Sequence, residues 1–274
     1  MLHVNLRNLC GRKYLYVYIN MAFKEIPNEI LKVNKVDMMT DKILEDKKGR
    51  TVPYPLVKNS GFMIQISGAS RSGKTTLLVN LISQRARNGN RRSYLSLFDD
   101  IIMVSPSRHT LKNDVFEDID DSKKFDTLDE EVIDNIENLI ADNRENDTHT
   151  LLVLDDVSVL LKSADVMLPL VNLANNRRHK NLSIIFTTQV YNLAPVPLRK
   201  NLDLLFIFKM KTRQEQESII KDYFTLPRSK VLELFKFIYR ERFDFMILDF
   251  TQRKKPEFAY FRNFNEIQME EDNE

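Results

Sequence analysis

Gly68-Ala69-Ser70-Arg71-Ser72-Gly73-Lys74-Thr75 closes the apolar run Phe62-Met63-Ile64-Gln65-Ile66 and opens the helix-patterned stretch Leu77-Leu78-Val79-Asn80-Leu81-Ile82. It fits G-x-x-x-x-G-K-[ST], the nucleotide phosphate-binding loop, in the strand-then-helix setting that its mechanism needs. The glycines let the backbone curl into a nest of N–H groups around the β-phosphate, and the N-terminus of the next helix adds its positive dipole end. In this reading Gly68, Ala69, Ser70, Arg71, Ser72, Gly73, Lys74, Thr75 and Thr76 form the nucleotide-binding segment. Lys74 reaches the β- and γ-phosphates, and Thr75 supplies a hydroxyl to Mg²⁺. The chain has six glycines, and three of them lie between Gly61 and Gly73, so backbone freedom is concentrated at this loop.

Working outward, 274 residues suffice for one α/β domain with a substantial core and an appendage, and are short for two full domains. A hydrophobic content of 43% with 29% charged residues is that of a soluble globular protein and argues against disorder throughout. There is no uninterrupted apolar stretch of about 18 residues, so no membrane span is expected. The first twenty residues mix Arg7, Arg12 and Lys13 with Tyr14, Tyr16 and Tyr18 and do not read as a secretory leader. The single cysteine, Cys10, excludes an intramolecular disulfide framework and fits a reducing compartment. With a net charge of +2, contacts to nucleic acid must come from local basic patches rather than from a cationic whole.

Residues 1–55 carry weak periodicity and read as an N-terminal extension, ending in the charged turn Asp46–Arg50 and in Pro53-Tyr54-Pro55. From Gly61 onward, short apolar runs alternate with helical periodicity. The expected strands are Phe62–Ile66, Ile101–Val104, Leu151–Leu154, Ser183–Thr187, Leu204–Phe208 and Phe243–Leu248. The expected helices are Thr75–Arg87, Asp129–Asn143, Ala164–Asn176, Arg213–Phe224 and Arg228–Ile238. This is the pattern of an α/β fold, a mostly parallel sheet with helices on both faces. Residues 106–127 read as a polar surface insertion, and the acidic end from Glu266 to Glu274 as a frayed tail. The implied division is an extension over 1–55, a P-loop domain over 56–262 and an acidic C-terminal tail over 263–274.

Leu151-Leu152-Val153-Leu154-Asp155-Asp156 is an apolar strand that delivers two carboxylates to the carboxyl edge of the sheet, where ligands of such folds sit. Asp155 is placed to hold the Mg²⁺ shell, and Asp156 to face the γ-phosphate and polarise the attacking water. Two adjacent carboxylates stay ionised when a divalent ion neutralises them. The plainer reading is a turn that begins with two aspartates. The strand candidate Ile101–Val104, lying between loop and doublet in the chain, suggests the subclass in which an additional strand separates the phosphate-loop strand from the Mg²⁺ strand. Ile184-Ile185-Phe186-Thr187-Thr188-Gln189 ends in a polar trio at the same edge. Gln189 is either a sensor of the γ-phosphate and lytic water or a strand-end cap. Arg177-Arg178-His179-Lys180 precedes that strand, and either arginine is a candidate finger for a neighbouring subunit's site or part of a solvated basic helix end. Arg199 is a weaker finger candidate.

Taken in order, Gly68–Thr75, Leu151–Asp156, Asn176-Arg177-Arg178-His179 with Leu182-Ser183-Ile184-Ile185, and Thr187-Thr188-Gln189 resemble the poxvirus-type DNA-packaging ATPases of large eukaryotic DNA viruses, virophages and Maverick-like elements, in the FtsK/HerA superfamily. The resemblance covers roughly residues 60 to 262. It implies a P-loop NTPase of the additional-strand type that hydrolyses ATP with Mg²⁺ in a homo-oligomeric ring and pumps double-stranded DNA into a preformed capsid. Capsid or vertex proteins are implied as partners, and an intracellular location in host cytoplasm, viral factory or virion. It assigns Lys74 and Thr75 to phosphate and metal, Asp155 and Asp156 to the acidic pair, Gln189 to the sensor and Arg177 or Arg178 to the finger. The family often has glutamate where Asp156 stands, which departs from its pattern by one methylene.

Three other classes compete for these residues. Asn34-Lys35-Val36-Asp37 fits the guanine-reading N-K-x-D pattern, but it precedes the phosphate loop, and neither Asp155 nor Asp156 has glycine three residues on, as a GTP-dependent switch requires. A nucleotide or small-molecule kinase would share the loop and the Mg²⁺ logic; Gln189 and the lack of an arginine-rich lid oppose it. A scaffold with a degenerate site is opposed by the intact lysine, hydroxyl and carboxylates. For DNA, phosphate contacts of little sequence content suffice, and Arg85, Arg87, Arg91 and Arg92 form one candidate patch, Arg253-Lys254-Lys255 another.

Overall fold

Val4–Leu9 (β1) and Arg12–Val17 (β2) pair antiparallel from Val4↔Val17 to Leu9↔Arg12 and belong to an N-terminal unit that ends at Asp37. The second unit, Met38–Glu274, carries the site. The computed structural model describes residues 4–9, 12–17, 42–83, 94–106, 119–157, 161, 163–251 and 259–268.

The apolar runs of the second unit become the strands Met63–Ser67 (β3), Asp100–Val104 (β4), Lys124–Phe125 (β5), Thr150–Leu154 (β6), Leu182–Thr188 (β7), Leu204–Phe208 (β8) and Phe245–Asp249 (β9), joined by Ala259–Arg262 (β10) and Asn265–Ile267 (β11). They form one nine-stranded sheet in the order β11-β10-β9-β8-β3-β7-β6-β4-β5. From β8 through β5 neighbouring strands are parallel, and β9, β10 and β11 add an antiparallel wing. An additional strand does separate β3 from β6. It is β7, whereas Ile101–Val104 lies beyond β6.

Alternate residues of each strand enter two different cores, because successive side chains of an extended chain point to opposite faces. Ile102, Val104, Leu152, Leu154, Ile184, Phe186, Leu205 and Ile207 face one core. Ile64, Ile66, Ile101, Met103, Leu151, Val153, Leu204 and Phe206 face the other. Lys74–Ser83 (α1) covers the second core with Leu77, Leu78, Leu81 and Ile82. Glu130–Glu145 (α2), Ala164–Asn176 (α3), Arg213–Tyr223 (α5) and Arg228–Ile238 (α6) cover the first, with the short Val196–Arg199 (α4) beside α3. Burial on both faces is what a continuous apolar strand requires. The α2 and α5 starts are fixed by Asp129, which accepts from Val132 N at 3.0 Å, and by Thr212, which accepts from Glu215 N at 3.2 Å.

Three boundaries differ from the sequence expectation. Leu44 and Val52, inside the expected extension, are buried in the second core, and Ile43 bridges to Asn59, so the chain from Lys42 packs with the sheet. The end of the expected insertion contributes β5, anchored by the buried Ile119 nearby. Glu266 is not frayed: it sits in β11, paired with Phe261, because the turn at Asn263 and Phe264 folds the chain back on β10. Among the described residues no helix is long and apolar enough to cross a membrane.

Candidate nucleotide site

Parallel strands bring their carboxyl ends to one rim, and there β3 passes into the loop Gly68–Gly73 and α1. The loop is wound tightly. Arg71 and Gly73 have φ of 64° and 104°, and Ser72 N donates to Ala69 O at 3.1 Å. A Cβ on Gly68 would lie 2.7 Å from both Phe208 Cβ and Ser72 Oγ, so only glycine lets the loop pass this close to the end of β8. Lys74 is 8% exposed, and its Nζ donates to Ala69 O at 3.3 Å. Burial pulls the Lys74 ammonium below the usual lysine range, while the charges of Asp156 and Asp155 oppose that pull.

Across the rim β6 delivers the doublet. Thr75 Oγ1 donates to Asp155 Oδ2 at 3.3 Å, and Thr187 Oγ1 donates to Asp155 Oδ1 at 2.8 Å. Asp156 has φ of 56°, a left-handed turn that its backbone holds by donating from N to Thr187 Oγ1 at 2.8 Å. Gln189 Nε2 donates to Asp156 Oδ1 at 3.1 Å. Burial raises the Asp155 carboxyl above the usual range; the Thr187 hydrogen bond opposes this and the neighbouring Asp156 charge adds to it. Loop, lysine, doublet and glutamine thus share one rim.

The residues fit a triphosphate and a hard cation. Ser67 Oγ and Ser72 Oγ are buried at the loop without a hydrogen-bond partner, which leaves donors for phosphate oxygens. Thr75 and Asp155 offer adjacent oxygens where an added positive charge would favour the ionised carboxylate. Among the described residues no three His, Cys, Asp or Glu side chains converge as a metal cage, and Mg²⁺ typically uses only one or two carboxylates with substrate phosphates.

Arg177 is placed elsewhere. It lies at the amino rim, 7% exposed, with Nε donating to Gly61 O at 2.7 Å, Nη1 to Ala174 O at 2.8 Å and Asn201 Oδ1 at 3.0 Å, and Nη2 to Asn201 O at 3.0 Å and Asp203 Oδ2 at 3.3 Å. With its donors engaged in the interior, Arg177 is a structural cation and corrects the expectation of a projecting finger. Arg178, next in the chain, is exposed at the same rim, its stem against Gly61. Arg199 is tied to its own chain, donating to Asp222 Oδ2 at 2.7 Å with its guanidinium 4.6 Å above the Tyr191 ring. The basic patches Arg85, Arg87, Arg91, Arg92 and Arg253-Lys254-Lys255, and Asn34–Asp37, lie outside the described residues.

Thr187 is the residue that motif reading undervalues, since its one hydroxyl holds both the Asp155 carboxylate and the Asp156 backbone N–H. A polar side chain interrupting a buried apolar strand is the signal for it. The same signal marks Gln65, buried in β3, which donates to Thr188 Oγ1 at 2.9 Å beside the sensor position.

Residues 53–249 match the family described as Poxvirus A32 protein. No curated protein is significantly similar in sequence. Among solved structures, the genome packaging NTPase B204 from Sulfolobus turreted icosahedral virus 2, in complex with ATP-gammaS, aligns at 16% identity over 75% of this chain and 98% of that one, with a TM-score of 0.49. The pCW3 conjugation coupling protein TcpA aligns at 12% identity over 75% of this chain and 61% of that one, and EssC from Geobacillus thermodenitrificans at 13% over 75% and 40%, each with a TM-score of 0.50. The last two likenesses show the fold, an α/β P-loop sheet.

Proposed function

The chain belongs to the poxvirus A32 protein family, and on that premise we propose that it is an ATP-hydrolysing motor that moves double-stranded viral DNA into a capsid. One observation carries the reading: the phosphate loop and the acidic doublet meet on one rim, Thr75 Oγ1 lying 3.3 Å from Asp155 Oδ2.

The backbone N–H groups of Gly68–Thr75 and the N-terminus of α1 receive the phosphates, and Lys74 places its charge on the β- and γ-groups. Thr75 and Asp155 are the residues that would hold Mg²⁺. When bound, Mg²⁺ supplies neutralisation of the triphosphate charge. Asp156 orients a water molecule and takes its proton as the water oxygen bonds to the γ-phosphorus and the bond to the ADP oxygen breaks. Gln189, hydrogen-bonded to Asp156, registers whether the γ-phosphate is present. Arg178, exposed next to the buried Arg177, is the finger offered to a neighbouring copy in a homo-oligomeric ring. Exposed lysines and arginines hold duplex phosphates without reading sequence, and capsid or vertex proteins receive the complex within the infected cell.

The test is hydrolysis by the purified full chain. ATP turnover that needs Mg²⁺, rises with duplex DNA and vanishes in Lys74→Ala supports the proposal, with native mass measurement reporting the ring. Turnover that instead requires a phosphate acceptor overturns it in favour of a kinase.

A further inference from the structure

A cavity of about 580 Å³ opens directly beside the phosphate loop, with Gly73 and Thr76 in its wall. That volume lies within the range of roughly 300–1,000 Å³ found for small-molecule sites. Its remaining wall is unusually aromatic: Tyr54, Phe208, Phe243, Phe245 and Phe264 all line it. Phe208 Cε1 and Phe243 Cδ1 both lie 3.5 Å from where a Cβ on Gly73 would stand, so the aromatic wall abuts the phosphate loop itself.

The wall is preorganised. Phe245 meets Phe208 at a centroid distance of 5.5 Å and Phe264 edge-on at 5.4 Å, while Tyr54 meets Phe261 edge-on at 5.4 Å. Yet Tyr54, Phe243 and Phe264 remain 46%, 54% and 48% exposed, three of the eight large hydrophobic side chains so exposed among the described residues. Their clustering around one mouth, contiguous with a phosphate cradle, calls for a flat apolar ligand part attached to phosphates. The other large cavity, about 770 Å³ at the amino rim, is lined by Asp203 and Asp249 and is unsuited to such a ligand.

We infer that the aromatic cavity beside Gly73 and Thr76 seats the nucleobase by its faces and reads little of its edge, so that ATP and GTP are accepted almost alike. The inference rests on the nucleotide reading above and adds a specificity to it. Among the lining residues only Tyr54, Thr76 and Asn80 carry polar side-chain atoms, and one N–H of Asn80 Nδ2 is already donated to Thr76 O at 2.7 Å. Sites that hydrogen-bond a distinguishing group reject its absence by roughly 10⁴–10⁵, whereas apolar pockets separate similar shapes by about 10- to 200-fold. Stacking, by contrast, is indifferent to base identity, and loss of one stacking ring changes affinity by roughly 5- to 150-fold.

The experiment is calorimetric titration of the full chain with AMPPNP, GMPPNP and inorganic tripolyphosphate, using Phe243→Ala and Phe264→Ala, with thermal unfolding as a check on folding. Phe243→Leu, which keeps bulk without the ring, serves should the alanine variants misfold. The expected result is AMPPNP and GMPPNP affinities within about tenfold of each other. Each variant should weaken both by about fivefold or more while tripolyphosphate binding is unchanged. Unchanged nucleotide affinity in the variants, equal weakening of all three ligands, or a hundredfold preference for either nucleotide overturns the inference and leaves the ATPase reading standing. Failure of all three to bind the unaltered protein overturns the ATPase reading, and the base seat with it.

Discussion

Thr187 Oγ1 donates to Asp155 Oδ1 at 2.8 Å while accepting from Asp156 N at the same distance, so a single hydroxyl on β7 fixes the Asp155 carboxylate and the backbone of Asp156 at the end of β6. Replacing it with valine keeps the shape and removes both bonds.

Thr187→Val is therefore expected to lower Mg²⁺-dependent turnover by about 10- to 100-fold, the usual cost of losing a group that orients metal-binding residues. Stability should fall by about 1–3 kcal/mol, because Asp156 N loses its partner. Thr187→Ser, which keeps the hydroxyl, should retain most of the activity. Steady-state kinetics with urea unfolding reads both effects.

The adjacent arginines should separate cleanly. Arg177→Ala leaves the half-buried Asp203 carboxylate without this cation and the Gly61, Ala174 and Asn201 carbonyls without their donor, and should destabilise the fold by about 3–5 kcal/mol, seen as a lowered urea midpoint. Burial already raises Asp203 above the usual carboxylate range and the Arg177 charge opposes it, so losing that charge raises it further. Arg178→Ala should fold normally and lose turnover by a factor of about 10³ or more, the range of a finger residue. Mixing Arg178→Ala with Lys74→Ala should restore part of the activity; no rescue would exclude action across a subunit boundary.

Gly68→Ala tests the closeness of loop and β8. The added methyl would meet Phe208 Cβ and Ser72 Oγ at 2.7 Å, and relieving that overlap must move the phosphate cradle. Overpacking of this kind costs about 1–3 kcal/mol. Tripolyphosphate affinity should drop while the strand framework, followed by circular dichroism, persists.

Acid sensitivity has an identifiable contributor in Asp244. Burial works to raise its carboxyl, but N–H bonds from Glu241, with Asn263 and Arg262, outweigh burial and hold it at about 2 rather than 3.8. Because the folded value lies below the unfolded one, the stability it contributes is present above 3.8 and is lost as the pH falls toward 2. Unfolding midpoints measured across that interval should decline, and Asp244→Asn should flatten the decline. An unchanged slope in the variant would remove Asp244 from the explanation.

Much of the fold could be read in advance because its information is local. The apolar runs that became β3, β6, β7 and β8 are buried on both faces and need no partner to be recognised, and the loop after β3 carries its own glycines. What escaped reading depends on distant partners. Arg177 looks like any basic helix end until Asp203, Asn201 and Gly61 close around it. Lys124–Phe125 and Asn265–Ile267 are too short and polar to show strand periodicity, and pairing alone makes them strands. The wall made by Tyr54, Phe243 and Phe264 joins the segment before β3 to the residues just before β9 and just after β10, far downstream in the chain. Separately, none of these aromatics differs from an ordinary surface residue.

The sheet ends on one side in the two-residue strand β5 and on the other in the three-residue β11, whose Asn265 and Glu266 are exposed. Among the described residues both margins of this sheet are short strands, which limits main-chain pairing with another chain there. In the ring proposed above, neighbouring copies would then meet chiefly through side chains.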